Sequence, residues 1–219
     1  MSDIFREIDE DLRRERMGLM WKKYGGLIVG AAFLLVLATA GWRGWQYWQG
    51  KQAQEAGGRF EKALELSRDG KDSEAEKAFV TISADAPAGY RILARLRGAA
   101  ELSKIDPDSG IAAWRAIAAD SGVGAVTQDL ARVRVGYLLL DKAAYADLAK
   151  EMEPIAVPSN PWRNEAREIL GASALKASDL ANAGKWFDQI VSDRDAPPGI
   201  RQRAEAFLGF VAGGPARTQ

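Results

Sequence analysis

The feature that most constrains this chain is an uncharged apolar run of 19 residues, Tyr24 to Trp42, which lies between Lys23 and Arg43. As an α-helix rising about 1.5 Å per residue, the run is about 28 Å long, close to the thickness of the hydrocarbon core of a bilayer. Its apolar residues lie on all sides of the helix, so it is not an amphipathic helix of the membrane surface. The run therefore predicts a transmembrane helix, over residues 24–48 when the aromatic segment after it is included.

Aromatic residues lie at both ends of the run, as expected where a membrane helix meets the lipid headgroups. They are Trp21, Tyr24, Trp42, Trp45, Tyr47 and Trp48. Two alternatives are a cleaved signal peptide and a buried helix of a soluble domain. The segment Ala38-Thr39-Ala40 resembles a cleavage site, but six acidic residues among the preceding 23 are unlike a signal peptide. A helix that is apolar on every side is hard to enclose in a small domain, so we expect an uncleaved anchor.

Basic residues before the run predict its orientation. The five that lie just before it are Arg13, Arg14, Arg16, Lys22 and Lys23. Only Arg43 and Lys51 lie within a similar distance after it. Because Lys and Arg near a span are retained in the cytoplasm, we expect a cytoplasmic N-terminus and residues 50–219 across the membrane.

The tail before the run, residues 1–23, has apolar residues at spacings of three and four, typical of a short amphipathic helix that starts near Ser2 or Asp3. These apolar residues are Ile4, Phe5, Ile8, Leu12, Met17 and Met20. We interpret the tail as a solvated cytoplasmic helix, and a docking or degradation signal is the alternative.

The composition lacks two residue types on which many catalytic mechanisms depend. The chain has no Cys and no His, which excludes disulfides, thiol nucleophiles and the commonest general base and metal ligand. Its 30 basic residues balance its 30 acidic residues, so no electrostatic footprint for nucleic acid is present. We therefore expect that the protein is not an enzyme and that it binds no cofactor, no metal ion and no small-molecule substrate.

Beyond residue 50, small and large residues recur at intervals of about 35 residues. The four sets are Ala63, Ala75, Phe79 and Ile82; Gly98, Gly110, Trp114 and Ile117; Val133, Tyr145, Ala149 and Met152; and Gly171, Ala183, Phe187 and Ile190. Small residues let two helices of a pair approach, and an aromatic side chain one turn later fills the gap towards the next pair. The pattern resembles the tetratricopeptide repeat, with the third repeat degenerate.

The predicted fold is therefore all-α, with one N-terminal transmembrane helix followed by a solenoid of about four tetratricopeptide-like helical hairpins over residues 49–212. No run of alternating β-branched residues predicts a strand. A last helix, about Gly199 to Ala212, is expected to cap the solenoid, and residues 213–219 are expected to form a disordered tail.

Taken together, these segments resemble the YfgM-type ancillary subunits of the bacterial Sec translocon. The resemblance is carried by "FREIDEDLRRERMGLMWKKYG" before the span, "GWRGWQYWQ" after it and the degenerate repeats behind. It implies a single-pass protein of the bacterial inner membrane with a periplasmic repeat domain. It also implies protein partners, namely the Sec translocon channel and a membrane-anchored periplasmic chaperone. The alternative is a repeat scaffold for another envelope complex, in cell division, cell-wall synthesis or cytochrome assembly.

Three short motifs with catalytic or metal-binding relatives are interpreted as structural. Ser173 to Lys176 matches S-x-x-K, but its companion motifs are absent and we expect it in the middle of a helix. Gly122 to Thr127 follows no strand and is expected to be a loop between helices. The segment 105–110 is too short to be a calcium loop, so we expect Asp106 to cap a helix that begins at Pro107.

Three residues are the candidates for partner binding, Arg95, Arg134 and Tyr137. In the repeat register all three fall on first helices of the hairpins, which usually line the binding side of such solenoids. They predict a groove for an acidic or extended segment of a partner. The alternative is an ordinary solvated face.

Overall fold

The structure, a computed structural model, describes the backbone of residues 2–213 and the side chains of residue 14 and residues 16–213. Within that part the chain forms nine α-helices and one 3-10 turn and no strand, which confirms the all-α prediction. The helices are α1 (Ser2–Arg68), α2 (Asp72–Asp85), α3 (Ala88–Ile105), α4 (Pro107–Ala119), α5 (Ala125–Leu139), α6 (Tyr145–Met152), α7 (Arg163–Lys176), α8 (Leu180–Ser192) and α9 (Pro198–Gly213).

By their internal contacts the residues form two compact units, Met1–Glu55 and Ala56–Gln219. In the first unit, α1 contains a segment long and apolar enough to cross a membrane, with a mean hydropathy of 1.9 over its best 18 residues. Its large apolar side chains, such as Leu27 and Trp42, are exposed, as a candidate membrane span requires. The side chains of residues 1–13, on which the predicted amphipathic tail depends, lie outside the described residues, as do residues 214–219 of the predicted disordered tail.

The second unit is a series of antiparallel helical hairpins. Residues 56–68 of α1 pair with α2, and α3–α4, α5–α6 and α7–α8 form the next three hairpins. The last helix, α9, packs on α7 and α8 and ends the series, in agreement with the predicted capping helix. Within the described residues this is the predicted solenoid of four repeats and a cap.

The residues that define the repeat pattern form the interior of these hairpins. Ala63, Ala75, Phe79, Ala183, Phe187 and Ile190 are each fully buried. The third repeat is degenerate, as predicted: Val133 and Met152 are buried at their expected positions, but Tyr145 and Ala149 are only half-buried, and Leu148 fills the interior in place of Ala149. Its second helix, α6, has 8 residues, whereas α4 and α8 have 13 each.

The buried side chains form four separate hydrophobic clusters along the solenoid. Phe79 lies in the first, Trp114 in the second, Met152 in the third and Phe187 in the fourth. Each cluster is built from consecutive hairpins, as in repeat proteins whose units contact only their neighbours.

A largely buried ionic cluster joins the segment between α6 and α7 to the end of α8. Arg163 Nε donates to Asp193 Oδ2 at 2.6 Å, and Arg167 Nη1 donates to the same oxygen at 3.1 Å. Arg167 Nε also donates to the carbonyl oxygen of Ala156, at 3.2 Å. Hydrogen bonding to the Arg163 guanidinium lowers the pKa of Asp193 well below its usual range.

Two local predictions differ from the structure. The segment 122–127 is only partly a loop: Gly124, at φ +80°, precedes α5, and residues 125–127 form the first turn of that helix. The chain resumes a helix there because no residue after Gly124 breaks one. The motif Ser173 to Lys176 lies at the C-terminal end of α7 rather than in its middle, since residue Ser178, with a positive φ, follows closely. The predicted cap is confirmed, because the Asp106 side chain accepts a hydrogen bond from the backbone N–H of Asp108.

Candidate functional site: a groove along the first helices

Two adjoining cavities, each of about 450 Å³, lie along the first helices of the hairpins. The first cavity lies between α3 and α5, above Trp114 of α4. The second lies between α5, α7 and α9. Leu130, Arg134 and Tyr137 line both cavities, so the two form one continuous surface, the first-helix groove. Two of the three predicted partner-binding residues therefore lie where the cavities meet.

Tyr137 is held in place by a charged cluster that joins α5, α7 and α9. Its hydroxyl donates to Glu168 Oε2 at 2.7 Å, and Arg203 donates to both oxygens of the same carboxylate, at 2.5 and 2.9 Å. Burial and the bond to Glu168 raise the pKa of Tyr137, so its hydroxyl stays protonated at neutral pH. The half-buried ring of Tyr137 thus forms a fixed wall between the cavities.

Arg134 differs from Tyr137 in having no such partner. Its side chain is exposed, and it makes no ion pair or side-chain hydrogen bond within the described part of the chain. The same holds for Arg97 of α3, which lines the first cavity beside it. Two exposed guanidinium groups without partners are available to an acidic ligand.

Arg95, the third predicted residue, does not line the groove. Its guanidinium donates to Asp120 Oδ2 at 2.6 Å, at the end of α4. The pKa of Asp120 is lowered by this bond. The structure therefore brings Arg134 and Tyr137 together and places Arg95 on another face of α3.

Arg97 and Glu168 are groove residues that sequence reasoning missed. Arg97 stands in the same basic run as Arg95, two residues further on, and the repeat spacing places it one residue before the small residue Gly98. Glu168 is a glutamate in a helix rich in charged residues, and only its contacts distinguish it. The signal for Arg97 was present in the sequence, whereas none existed for Glu168.

A second concave surface lies between α4 and α6, with a cavity of about 650 Å³. Its charged side chains pair among themselves, for example Arg115 with Glu151 at 3.6 Å and Arg132 with Asp129 at 2.6 Å. This surface therefore offers fewer free charges than the first-helix groove.

The serine and lysine of the S-x-x-K segment, Ser173 and Lys176, have structural roles. Ser173 is 2% exposed. The Lys176 ammonium group donates to the carbonyl oxygens of Leu140 and Asp141 and so ties the end of α5 to α7. A lysine committed to two carbonyl oxygens is not positioned as the base of a buried serine. Within the described residues no group of three Asp or Glu side chains is placed to hold a metal ion.

Comparison with known proteins gives one family. A family model described as a tetratricopeptide repeat-like domain matches residues 20–201. The match begins before the apolar run and ends in α9, so it covers the candidate span and all four hairpins. No curated protein and no solved structure matches the chain.

Proposed function

This chain belongs to the tetratricopeptide repeat-like domain family, and from that premise we propose that it is a membrane-anchored interaction protein without catalytic activity. Such repeat folds typically serve as scaffolds for protein–protein interaction. The observation that carries the proposal is the first-helix groove, where Arg97 and Arg134 lie exposed and without partners beside apolar walls.

We propose further that the apolar segment of α1 crosses the bacterial inner membrane, with the N-terminus in the cytoplasm and the repeats in the periplasm. The excess of Arg and Lys before residue 24 supports this orientation. A single span would hold the repeats near the membrane and raise their effective concentration towards membrane-bound partners without any added contact.

The proposed role is that of an ancillary subunit of the Sec translocon that links protein export to periplasmic chaperones. Support for this role comes from the resemblance of the first 50 residues to YfgM-type subunits. The test is to solubilise the tagged full-length protein in a mild detergent and identify the proteins that co-purify with it. Recovery of the Sec channel or a membrane-anchored chaperone is expected, and recovery of neither would contradict the Sec role.

The groove is tested in the same preparation with Arg134→Glu. This variant should lose the co-purified partner, because a carboxylate there would repel an acidic segment. Arg91→Glu is the matched control, since Arg91 lies exposed on α3 and lines neither cavity. If both variants retain the partner, binding does not use the groove. Partners from division, cell-wall synthesis or cytochrome assembly would indicate the alternative scaffold role.

A further inference from the structure

The first cavity of the groove carries an unbalanced positive charge. Arg97 and Arg134 line it together, and no Asp or Glu is among its lining residues. Its remaining walls are largely apolar, with Leu96 and Trp114 among them. A carboxylate placed there would meet two guanidinium groups close to apolar surface, where charge-assisted hydrogen bonds are stronger than in open water.

The second cavity has the opposite preference. Glu168 is already neutralised by Arg203 and hydrogen-bonded by Tyr137, and Glu165 adds a negative charge. Of the cations that line it, Arg203 is paired with Glu168 and Arg134 is shared with the first cavity, so an acidic side chain there would meet two glutamates and no cation of its own. Its apolar lining, which includes Val133 and Ile200, suits an aliphatic side chain.

A carboxylate in the first cavity and an aliphatic side chain in the second would lie on either side of α5, because the first cavity lies between α3 and α5 and the second between α5, α7 and α9. An extended chain in the polyproline II conformation rises about 3.1 Å per residue with three residues per turn. In this conformation three is the shortest spacing at which two side chains point the same way, and the two residues then lie about 9 Å apart.

Resting on the proposed function, we propose that the groove binds an extended segment of a partner protein that carries a side-chain carboxylate and an aliphatic side chain three residues apart. The carboxylate binds between Arg97 and Arg134, and the aliphatic side chain enters the second cavity. The cavities share Leu130, Arg134 and Tyr137, so one bound segment can pass from one to the other. We assign the carboxylate to a side chain, and the test below distinguishes it from a carboxylate at a chain end.

The test is a fluorescence-anisotropy titration of the full-length protein in non-ionic detergent. The probe is a labelled, amidated, proline-rich 12-residue peptide with one Glu and one Leu three positions apart. Three further peptides replace Glu by Gln, move Leu to a spacing of two, or combine Gln with a free C-terminal carboxylate. We expect the first peptide to bind at least tenfold more tightly than each of the others, and added salt to reduce the difference.

Two variants identify the subsite. Arg97→Gln and Arg134→Gln should each remove most of the preference for Glu over Gln, because each loses one guanidinium partner of the carboxylate. Arg91→Gln, which removes the same charge from α3 outside the groove, should leave the preference unchanged. All three residues are exposed, so these variants are expected to fold as the wild type does.

Several results would overturn the proposal. These are equal binding of the Glu and Gln peptides, no binding of the Glu peptide, tighter binding of the free-carboxylate peptide, or an equal effect of all three Arg variants. A failure of this subsite can be distinguished from a failure of the proposed function. If the partner co-purifies with wild type and equally with an Arg97→Gln, Arg134→Gln double variant, the carboxylate subsite is wrong and the interaction role stands.

Discussion

At the scale of single residues, Gly110 of α4 lies in close contact with Ser103 of α3. A Cβ atom at this position would lie 2.5 Å from Ser103 Cα, which is backbone and has no room to move aside. We expect Gly110→Ala to destabilise the repeat domain by about 2 kcal/mol, as overpacking of an interior does. The thermal unfolding midpoint, followed by circular dichroism, measures the effect.

Gly58 is the matched control for this change. It lies in a helix, and a Cβ atom there meets nothing within 4 Å. Gly58→Ala should therefore stabilise the protein by about 0.5–1 kcal/mol, because alanine loses less backbone entropy in a helix. If both variants shifted the midpoint in the same direction, close approach at Gly110 would not be the cause.

The ion pairs of Asp193 should make the stability of the protein depend on pH. Asp193 is 13% exposed and paired with Arg163 and Arg167, so Asp193→Asn should destabilise the protein by about 3 kcal/mol at pH 7. The native pKa of Asp193 is lowered, so its stabilisation is fully present above the unfolded pKa, near 4, and is lost as pH falls below it. The difference between wild type and variant should therefore narrow from pH 6 to pH 2.

Midpoints measured at several pH values between 6 and 2 check this expectation. Asp188→Asn is the control, because Asp188 is exposed on α8 and makes no ion pair within the described residues. It should shift the midpoint little at any pH. A difference for Asp193→Asn that is the same at pH 6 and pH 2 would mean that the carboxylate charge is not what stabilises the cluster.

The residues of the groove show why sequence reasoning found part of the site. Arg134 and Tyr137 were predicted because the repeat register places them on α5. Arg95 and Arg97 belong to the same basic run, but residues two apart on a helix point about 200° away from each other. Which of them faces the groove depends on the rotation of α3 against its neighbours, and the partner of Tyr137 lies 31 residues further on.

At the scale of secondary-structure elements, the cap of α4 gives a direct test. Asp106 accepts from the backbone N–H of Asp108 at 3.2 Å and from the Ser109 hydroxyl at 2.5 Å. Asp106→Ala should fray the first turn of α4, since the N–H groups of a helix start have no partner within the helix. Faster amide hydrogen exchange at Asp108 measures the loss.

Asp106→Asn separates capping from other effects of the change. Its side-chain carbonyl can still accept the hydrogen bond, so exchange at Asp108 should stay close to that of wild type. Fast exchange in both variants would show that charge, rather than the hydrogen bond, protects this turn.

The elements themselves were largely predictable, because spacing within a hairpin is a local property. Phe79 and Phe187 were placed correctly by their distance from a preceding small residue. The third hairpin was recognised as degenerate but its replacement interior was not, since Leu148 stands one residue before the expected position at Ala149. A one-residue shift moves a side chain by about 100° around a helix, and only packing against α7 decides it.

At the scale of the whole molecule, the proposed orientation predicts the activity of a fused reporter. Alkaline phosphatase fused after Gln219 should be active, because the enzyme folds only outside the cytoplasm. The same enzyme fused after Lys23, before the apolar run, should be inactive. A stable but inactive fusion at Gln219 would overturn the orientation, and activity of both fusions would invalidate the reporter.

The division of the interior into four clusters determines the order in which parts of the repeat domain unfold. Stability in such a series is the sum of terms for each unit and each pair of neighbours, rather than one property of a single core. A substitution that removes the Phe187 ring should therefore destabilise the packing of α7, α8 and α9 and leave the cluster around Phe79 folded. Loss of the last hairpin would open the second cavity of the groove while the first, between α3 and α5, persists. The order in which the units melt would then set which half of a bound segment is released first.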